Sequence, residues 1–312
     1  MGGSGGAVFW DSRSSINHLQ RRLRATEEHT KDETYEQELA GRINELLVQY
    51  NDRDVDKIGT YLATIQEVLQ EDIEGTVDLR FGGSIQKHTY VDGLSDIDCL
   101  VLLKSPELEH LTPQEVLNYF KAELEAHLKD VEAVTVGNLA ATIRYEDGTE
   151  IQLLPAIRKG SGYVISTTGG EEWSNIIRPD KFASALTKTN QECGGKVVPT
   201  IKLIKAASAN LPERYQLTGY HIESLAIEVF KAYSGVKTTK HMLEYFFNKA
   251  EDLVLKHIRD KTGQSLNVDE YLGPESSPQR IAISTEMNRV SRRMKNANAS
   301  RLSTEWLRTI GE

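Results

Sequence analysis

A buried β-strand is predicted at 99–103, where five apolar residues follow a pair of aspartates, Asp96 and Asp98. Because side chains alternate along a strand, acids that lie two residues apart project from the same face. Two like charges side by side are costly to bury unless cations lie between them. Mg²⁺ prefers carboxylate and phosphate oxygens, and two such ions ~4 Å apart can hold both oxygens of an in-line phosphoryl displacement. The sequence therefore predicts a two-metal site for phosphoryl transfer at the head of this strand.

A turn of small residues precedes the aspartates. Gly82, Gly83 and Ser84 are followed by a spacer, 85–95, that leads to Asp96. Backbone N–H groups at such a turn and at a helix N-terminus favour phosphate groups. We expect Gly83 and Ser84 to bind the phosphates of a nucleoside triphosphate. An ordinary helix cap at Ser84 is the alternative, and the two roles are compatible because a phosphate takes the donors that a cap leaves free.

Composition limits the class of protein. The chain has 312 residues, 39% of them hydrophobic, and a net charge of −9. This acidic balance argues against a protein that grips long nucleic acid, since that binding depends on neutralising phosphates. No apolar run approaches the ~20 residues of a membrane span, and with two cysteines, Cys99 and Cys193, a reduced cytoplasmic protein is expected.

The pattern along the chain changes from mixed to helical. Residues 1–12 read as a flexible leader, 13–178 as a catalytic lobe with N-terminal helices, and 179–312 as a helical lobe. In the catalytic lobe, helices are predicted at 13–29, 34–50, 54–70 and 113–129, and strands at 77–81, 99–103, 131–136, 139–146, 149–156 and 162–167. In the helical lobe, helices are predicted at 180–192, 197–210, 220–234, 239–259, 277–298 and 302–310.

The glycine–serine turn and the spaced aspartates together resemble the signature of the polymerase-β-like nucleotidyltransferase superfamily. Three further segments narrow the resemblance. Residues 149–156 are similar to the strand that carries the third carboxylate in oligoadenylate synthetases, 201–205 to their basic helix, and 219–226 to a helix start of bacterial relatives. The chain thus resembles the CD-NTase family, the bacterial relatives of cGAS and oligoadenylate synthetase, over about residues 55–310. The resemblance implies an α+β fold: a polymerase-β-like lobe with a mixed sheet, plus a helical C-terminal lobe.

The third acid departs from the family pattern. The resemblance sets Gln152 where relatives have an aspartate, and glutamine offers an oxygen to a metal but cannot serve as a base. Glu150 lies two residues earlier on the same strand face, about 6.6 Å away, and is our candidate third catalytic acid. Alternatively, Glu150 is an ordinary solvated residue. In that case Gln152 is a neutral metal ligand, an acid from elsewhere in the chain takes the third place, or the enzyme is weakened.

Three residues of the second half complete the predicted nucleotide site. Lys202 and Lys205 share one face of a partly apolar helix, so we expect both to reach the triphosphate, Lys205 above all. Tyr220 is expected to stack on a base, although core packing would also suit a tyrosine at a helix start.

Family resemblance implies a cyclic di- or trinucleotide synthase that uses ATP and other NTPs with two Mg²⁺ ions. It also implies anti-phage (CBASS-type) signalling, with regulatory and effector proteins as partners. The sequence alone leaves three rivals: a nucleotidyltransferase acting on RNA ends, one acting on a small molecule or protein, and a degenerate NTP-binding module.

Overall fold

A mixed β-sheet forms most of the first half of the fold. The computed structural model describes residues 12–52, 54–71, 78–81, 84, 87–91, 97–104, 108, 110–167, 169–263 and 265–311, the side chains of 12–17, 71, 80 and 81 excepted. The strands in this part are β1 Asp78–Phe81, β2 Ile97–Leu103, β3 Val131–Val136, β4 Ala141–Tyr145, β5 Glu150–Lys159 and β6 Gly162–Ile165. Their order is β1-β2-β5-β4-β3, with β6 paired to the second half of β5. Only β2 and β5 are parallel among these pairs.

Helices dominate the second half. The described α-helices are α1 Ser12–Gln49, α2 Val55–Glu71, α3 Pro113–His127, α4 Pro179–Glu192, α5 Val197–Ala209, α6 Gly219–Phe230, α7 Thr239–Leu253, α8 Pro278–Ser300 and α9 Ser303–Leu307. Short 3₁₀ helices occur at Glu213–Tyr215 and Glu270–Leu272. None of these helices combines the length and apolar character that crossing a bilayer requires.

Local chemistry explains several boundaries. Thr112 and Glu115 form a capping box at the start of α3, which satisfies backbone donors that the first turn would leave free. In the turn between β4 and β5, Gly148 adopts a φ of +84° and donates its N–H to Tyr145 O. α7 ends at Leu253 rather than at the predicted 259, because the guanidinium of Arg280 takes up the carbonyl oxygens that follow it, those of Val254 and Lys256.

The N-terminal region differs most from its prediction. One helix, α1, replaces the two predicted at 13–29 and 34–50. The expected break at 30–33 contains neither glycine nor proline, and the hydroxyl of Thr30 bonds to Thr26 O within the helix. Residues 18–34 are exposed, and burial begins at Tyr35.

The described residues form two large apolar cores, one against the sheet and one among the helices, besides a smaller cluster on the other face of the sheet. α2 and α3 cover one face of the sheet, in a core that includes Ile65, Leu69, Val101, Phe120, Ile143 and Leu153. The helical core combines α1 with the C-terminal helices and includes Leu39, Ile43, Phe182, Ile204, Phe246, Met294 and Trp306. The buried part of α1 therefore packs with the C-terminal helices. A division of the chain at 178/179 remains a prediction.

Candidate nucleotide and metal site

Asp98 lies near the start of β2 and faces away from the larger core of the sheet. Its neighbours Ile97 and Cys99 are fully buried in that core, whereas Asp98 is half-buried. The parallel register sets Asp98 directly beside Gln152 of β5. Adjacent strands lie about 4.8 Å apart, so two of the predicted metal ligands share one face at close range.

The other predicted residues of this motif, Gly83 and Asp96, lie outside the described residues, so the paired aspartates and the glycine contact stay predictions. Within the described ranges, no group of three or more His, Cys, Asp or Glu side chains is placed to hold a metal. The described part of the candidate metal site is therefore Asp98 with Gln152.

Glu150 lies on the same face, beyond Gln152, and is paired with an arginine. β4 and β5 set Arg144 opposite Glu150, and Arg144 Nε donates to Glu150 Oε1 at 2.5 Å. This hydrogen bond, with the nearby carboxylate charge, raises the pKa of Arg144. Both side chains are partly exposed, so the pair is open to exchange with solvent or a ligand.

Ser84 is buried with an unsatisfied hydroxyl. Its exposed fraction is 7%, and Ser84 Oγ meets no hydrogen-bond partner in the part of the chain that the structure describes. Its carbonyl oxygen accepts the backbone N–H of Thr89 at 2.9 Å. A buried hydroxyl without a partner costs free energy, and a phosphate oxygen is a suitable acceptor for it.

Lys205 lies where segment 87–91 meets α5 and α6, a place that we call the lobe contact. Its ammonium donates to Thr89 O and to Glu223 Oε1, both at 3.0 Å. The Glu223 carboxylate also accepts the Thr89 hydroxyl and the Lys87 ammonium. Glu223 is 1% exposed. Burial acts to raise the pKa of Glu223, but the two ammonium groups and the hydroxyl outweigh it and hold that pKa below its ordinary value.

Lys202 takes a different partner. It lies one turn before Lys205 on α5 and is buried, yet its ammonium donates to Asn51 Oδ1, just beyond α1. The two lysines therefore share a helix, as the sequence predicts, but their ammonium groups contact different parts of the molecule. Whether both meet a triphosphate stays a prediction.

Tyr220 is anchored at both ends. Its hydroxyl donates to Asp260 Oδ1 at 2.6 Å, and its ring packs against Phe182 with 4.8 Å between centroids. The Lys87 ammonium lies 5.5 Å from the Tyr220 centroid and 4.9 Å from that of Phe182. Burial and then the Asp260 hydrogen bond raise the pKa of the Tyr220 hydroxyl. The Tyr220 side chain is half-buried. That its ring stacks on a base stays a prediction.

Sequence reasoning missed Lys87 and Glu223. Lys87 lies in the spacer 85–95, for which the sequence predicts no contact, and Glu223 has no spacing that indicates a metal or catalytic site. A signal was available for Glu223, because it is a lone acid among apolar residues at the start of α6. For Lys87, only the tertiary contact with α6 identifies a partner.

No protein-family model matches the sequence, and no match is found among curated proteins. Solved structures do match. The chain is similar to the CD-NTase CdnG of Bradyrhizobium diazoefficiens in complex with GTP, at 17% identity and a TM-score of 0.65 over 88% of this chain and 96% of that chain. It is similar to CdnC of E. coli MS115-1 in a complex with HORMA-deltaN, at 15% identity and a TM-score of 0.62 over 82% and 90%. It is also similar to the Vibrio cholerae cyclic AMP-GMP synthase DncV in complex with a linear intermediate, at 12% identity and a TM-score of 0.60 over 97% and 90%.

The chain therefore has a nucleotidyltransferase fold, with a mixed sheet and a helical C-terminal part. More specifically, it is the fold of the CD-NTase family. The fold class expected from the sequence is confirmed, and so is the resemblance at the level of the fold.

Proposed function

We propose that this chain is a magnesium-dependent nucleotidyltransferase that joins NTPs into a cyclic di- or trinucleotide second messenger. One observation carries the proposal: on a CD-NTase fold, Asp98 and Gln152 lie side by side on the sheet face that points away from the larger core. The position of Asp98 at the head of β2 supports the metal-ligand role that the sequence motif predicts for it.

The residues present suit magnesium. Asp98 offers carboxylate oxygens and Gln152 a carbonyl oxygen, ligands that Mg²⁺ accepts, and the sequence supplies a second carboxylate in Asp96. The unpartnered hydroxyl of Ser84 supports a phosphate group nearby. When bound, two Mg²⁺ ions neutralise the triphosphate and increase the acidity of the attacking ribose hydroxyl.

The chain's own residues divide the remaining tasks. Ser84 and Gly83 bind the phosphate tail, and Lys205 and Lys202 orient it. Tyr220 stacks on the base of the donor nucleotide. Glu150 accepts the proton of the attacking hydroxyl. To do so it gives up its ion pair with Arg144, which is weak because both side chains are partly exposed.

We further propose that the product acts in the cytoplasm in anti-phage (CBASS-type) signalling, where it activates a separate effector protein. A regulatory protein partner is part of this proposal. The complex of the similar E. coli CdnC with HORMA-deltaN supports it.

Product analysis tests the reaction directly. The purified protein is incubated with all four NTPs and Mg²⁺, and the products are treated with phosphatase and identified by mass spectrometry. We expect phosphatase-resistant cyclic oligonucleotides that disappear when Mg²⁺ is removed or when Asp96 and Asp98 are both changed to asparagine. Products that form only when RNA or a small-molecule acceptor is added would contradict ring synthesis.

A second candidate function is a degenerate NTP-binding module. Two observations favour it: Gln152 replaces an acid, and the Glu150 carboxylate is engaged by Arg144. Such a module would bind ATP with Mg²⁺ but yield no product, either with the protein alone or with the proposed regulatory partner present.

A further inference from the structure

A buried charge cluster lies where segment 87–91 meets α5 and α6. It consists of the ammonium groups of Lys87 and Lys205 and the carboxylate of Glu223, with exposed side-chain fractions of 11%, 9% and 1%. Two positive charges therefore share one negative charge. Excess charge in a protein interior is costly unless it is compensated, so the cluster is suited to accept an anion.

Both lysines retain donors for such an anion. An ammonium group has three N–H donors. In the described part of the chain, Lys205 has two acceptors, Thr89 O and Glu223. Lys87 has one acceptor, Glu223, and otherwise lies over the rings of Phe182 and Tyr220.

A second, independent observation points to the same anion. The buried hydroxyl of Ser84 has no partner among the described residues. Thr89 connects it to the lysines, because the Thr89 N–H bonds to Ser84 O at 2.9 Å and Thr89 O accepts from Lys205. The excess positive charge and the unsatisfied hydroxyl thus both lie at residues 84–89 and their contacts.

We propose that Lys87 is a further phosphate-binding residue, and that Glu223 is a positioning residue that holds Lys87 and Lys205 toward the phosphate tail of a bound nucleotide. The inference rests on the proposed function only in taking that tail as the anion. Glu223 orients the lysines in the free protein and competes with the phosphates for them.

Inorganic tripolyphosphate is the probe, because it carries the tail without base or ribose. Calorimetric titration of wild type and Lys87→Met compares its affinity, with adenosine as a second ligand. We expect Lys87→Met to weaken tripolyphosphate binding about tenfold, the effect of losing one charge-assisted hydrogen bond. Adenosine binding stays unchanged. Equal tripolyphosphate affinity in the two proteins would overturn the assignment.

The matched control is Lys240→Met. Lys240 is as buried as Lys205 and is also ion-paired, to Glu36, but it belongs to the helical core. We expect its tripolyphosphate affinity to equal that of wild type. If Lys240→Met weakens binding as much as Lys87→Met, general disturbance rather than contact is the cause, and the proposal fails.

Glu223→Gln tests the competition between Glu223 and the phosphates, because the amide oxygen still accepts the lysine N–H groups while the negative charge is lost. It also provides a second route should Lys87→Met not fold. Removing the competing carboxylate is expected to tighten tripolyphosphate binding about threefold or more, a gain that loss of structure would not produce. The double variant Lys87→Gln/Glu223→Gln removes one charge of each sign and is expected to bind about tenfold more weakly than Glu223→Gln alone. Weaker or equal binding by Glu223→Gln would overturn the competition assigned to Glu223. Equal binding by Glu223→Gln and the double variant would overturn the role of Lys87.

The two proposals fail separately. A wild-type protein that makes no nucleotide product but binds tripolyphosphate through Lys87 would refute the synthase and leave this inference standing. A wild-type protein that makes product while Lys87→Met binds tripolyphosphate normally would refute this inference alone.

Discussion

The two halves of the candidate site are built by different means. On the sheet, Asp98 and Gln152 are neighbours because two strands run in parallel register, and both side chains are half-buried. At the lobe contact, Lys205 and Glu223 are placed by direct ionic contacts and are enclosed by protein. We therefore expect that neutralising Asp98 on the sheet costs little folding free energy, whereas neutralising one partner of the enclosed ion pair at the lobe contact costs much more.

The largest expected effect is on stability at the lobe contact. Glu223→Leu leaves the ammonium groups of Lys87 and Lys205 without their carboxylate. Breaking a buried ion pair from one side costs about 3–5 kcal/mol, and we expect a loss of this size in the free energy of unfolding measured with urea. The control Glu305→Leu removes the partner of Arg308 on an exposed surface and should change stability by no more than ~0.5 kcal/mol. Equal losses in both variants would remove the distinction between the two halves.

Acid should lower the free energy of unfolding through His221, which lies on α6 two residues before Glu223. Burial lowers the pKa of His221 to about 4, a shift that the carboxylate of Asp269 only partly opposes. In the unfolded chain this pKa is about 6.5. Between these values the unfolded chain binds a proton that the folded protein does not, so stability falls as the pH drops from 6.5 to 4. The loss amounts to about 3 kcal/mol at pH 4.

His221→Asn isolates this contribution, because asparagine can still bond to the hydroxyl of Tyr271 as His221 Nδ1 does. Urea unfolding at several pH values should show a flatter profile for the variant between pH 6.5 and 4. The ionisation of Glu223 is a separate effect, since its pKa is held below the ordinary 4.5. Its stabilisation is fully present well above pH 4.5 and is lost as the pH falls from there through the lowered pKa. Parallel profiles for wild type and variant would contradict the assignment to His221.

On the sheet, the expected effect is on rate rather than on stability. Asp98→Asn removes a metal-binding charge from a half-buried position. We expect product formation to fall by more than the roughly 10- to 100-fold cost of removing an outer-shell partner of a metal ligand. The melting temperature should stay close to that of wild type. A variant that unfolds, or one that keeps its rate, would show that Asp98 has a structural rather than a catalytic role.

The smallest expected effect concerns the third acid. Glu150→Gln should slow product formation about 100-fold, the lower end of the contribution of a general base. Arg144→Gln, which frees the carboxylate without removing it, should leave the rate equal or higher. Full activity in Glu150→Gln, together with loss in Gln152→Ala, would instead support the neutral ligand.

Local signals in the sequence predicted most of the fold. The helix predicted at 113–129 and the strands predicted at 131–136, 139–146 and 149–156 depend on neighbouring residues, and the structure confirms all four. The apolar spacing predicts two helices, at 13–29 and 34–50, yet residues 30–33 contain no glycine or proline to break a helix and α1 is continuous. Local patterns are informative where the residues that decide the structure are close in sequence.

The candidate site was less accessible to sequence reasoning because its contacts are distant in the chain. Glu223 and Lys87 are 136 residues apart, and no spacing rule connects them. The pairing of Asp98 with Gln152 depends on the parallel register of β2 and β5, which alternation along each strand does not specify. The sequence identified the residue types, and the fold determines which of them meet.

The parallel register of β2 and β5 makes the site sensitive to chain length. Inserting one residue after Ile151 would set the inserted side chain beside Asp98 and would turn Gln152 toward the apolar side of the sheet. Relatives of this chain that keep the chemistry should therefore tolerate insertions in the surrounding loops and reject them within this strand.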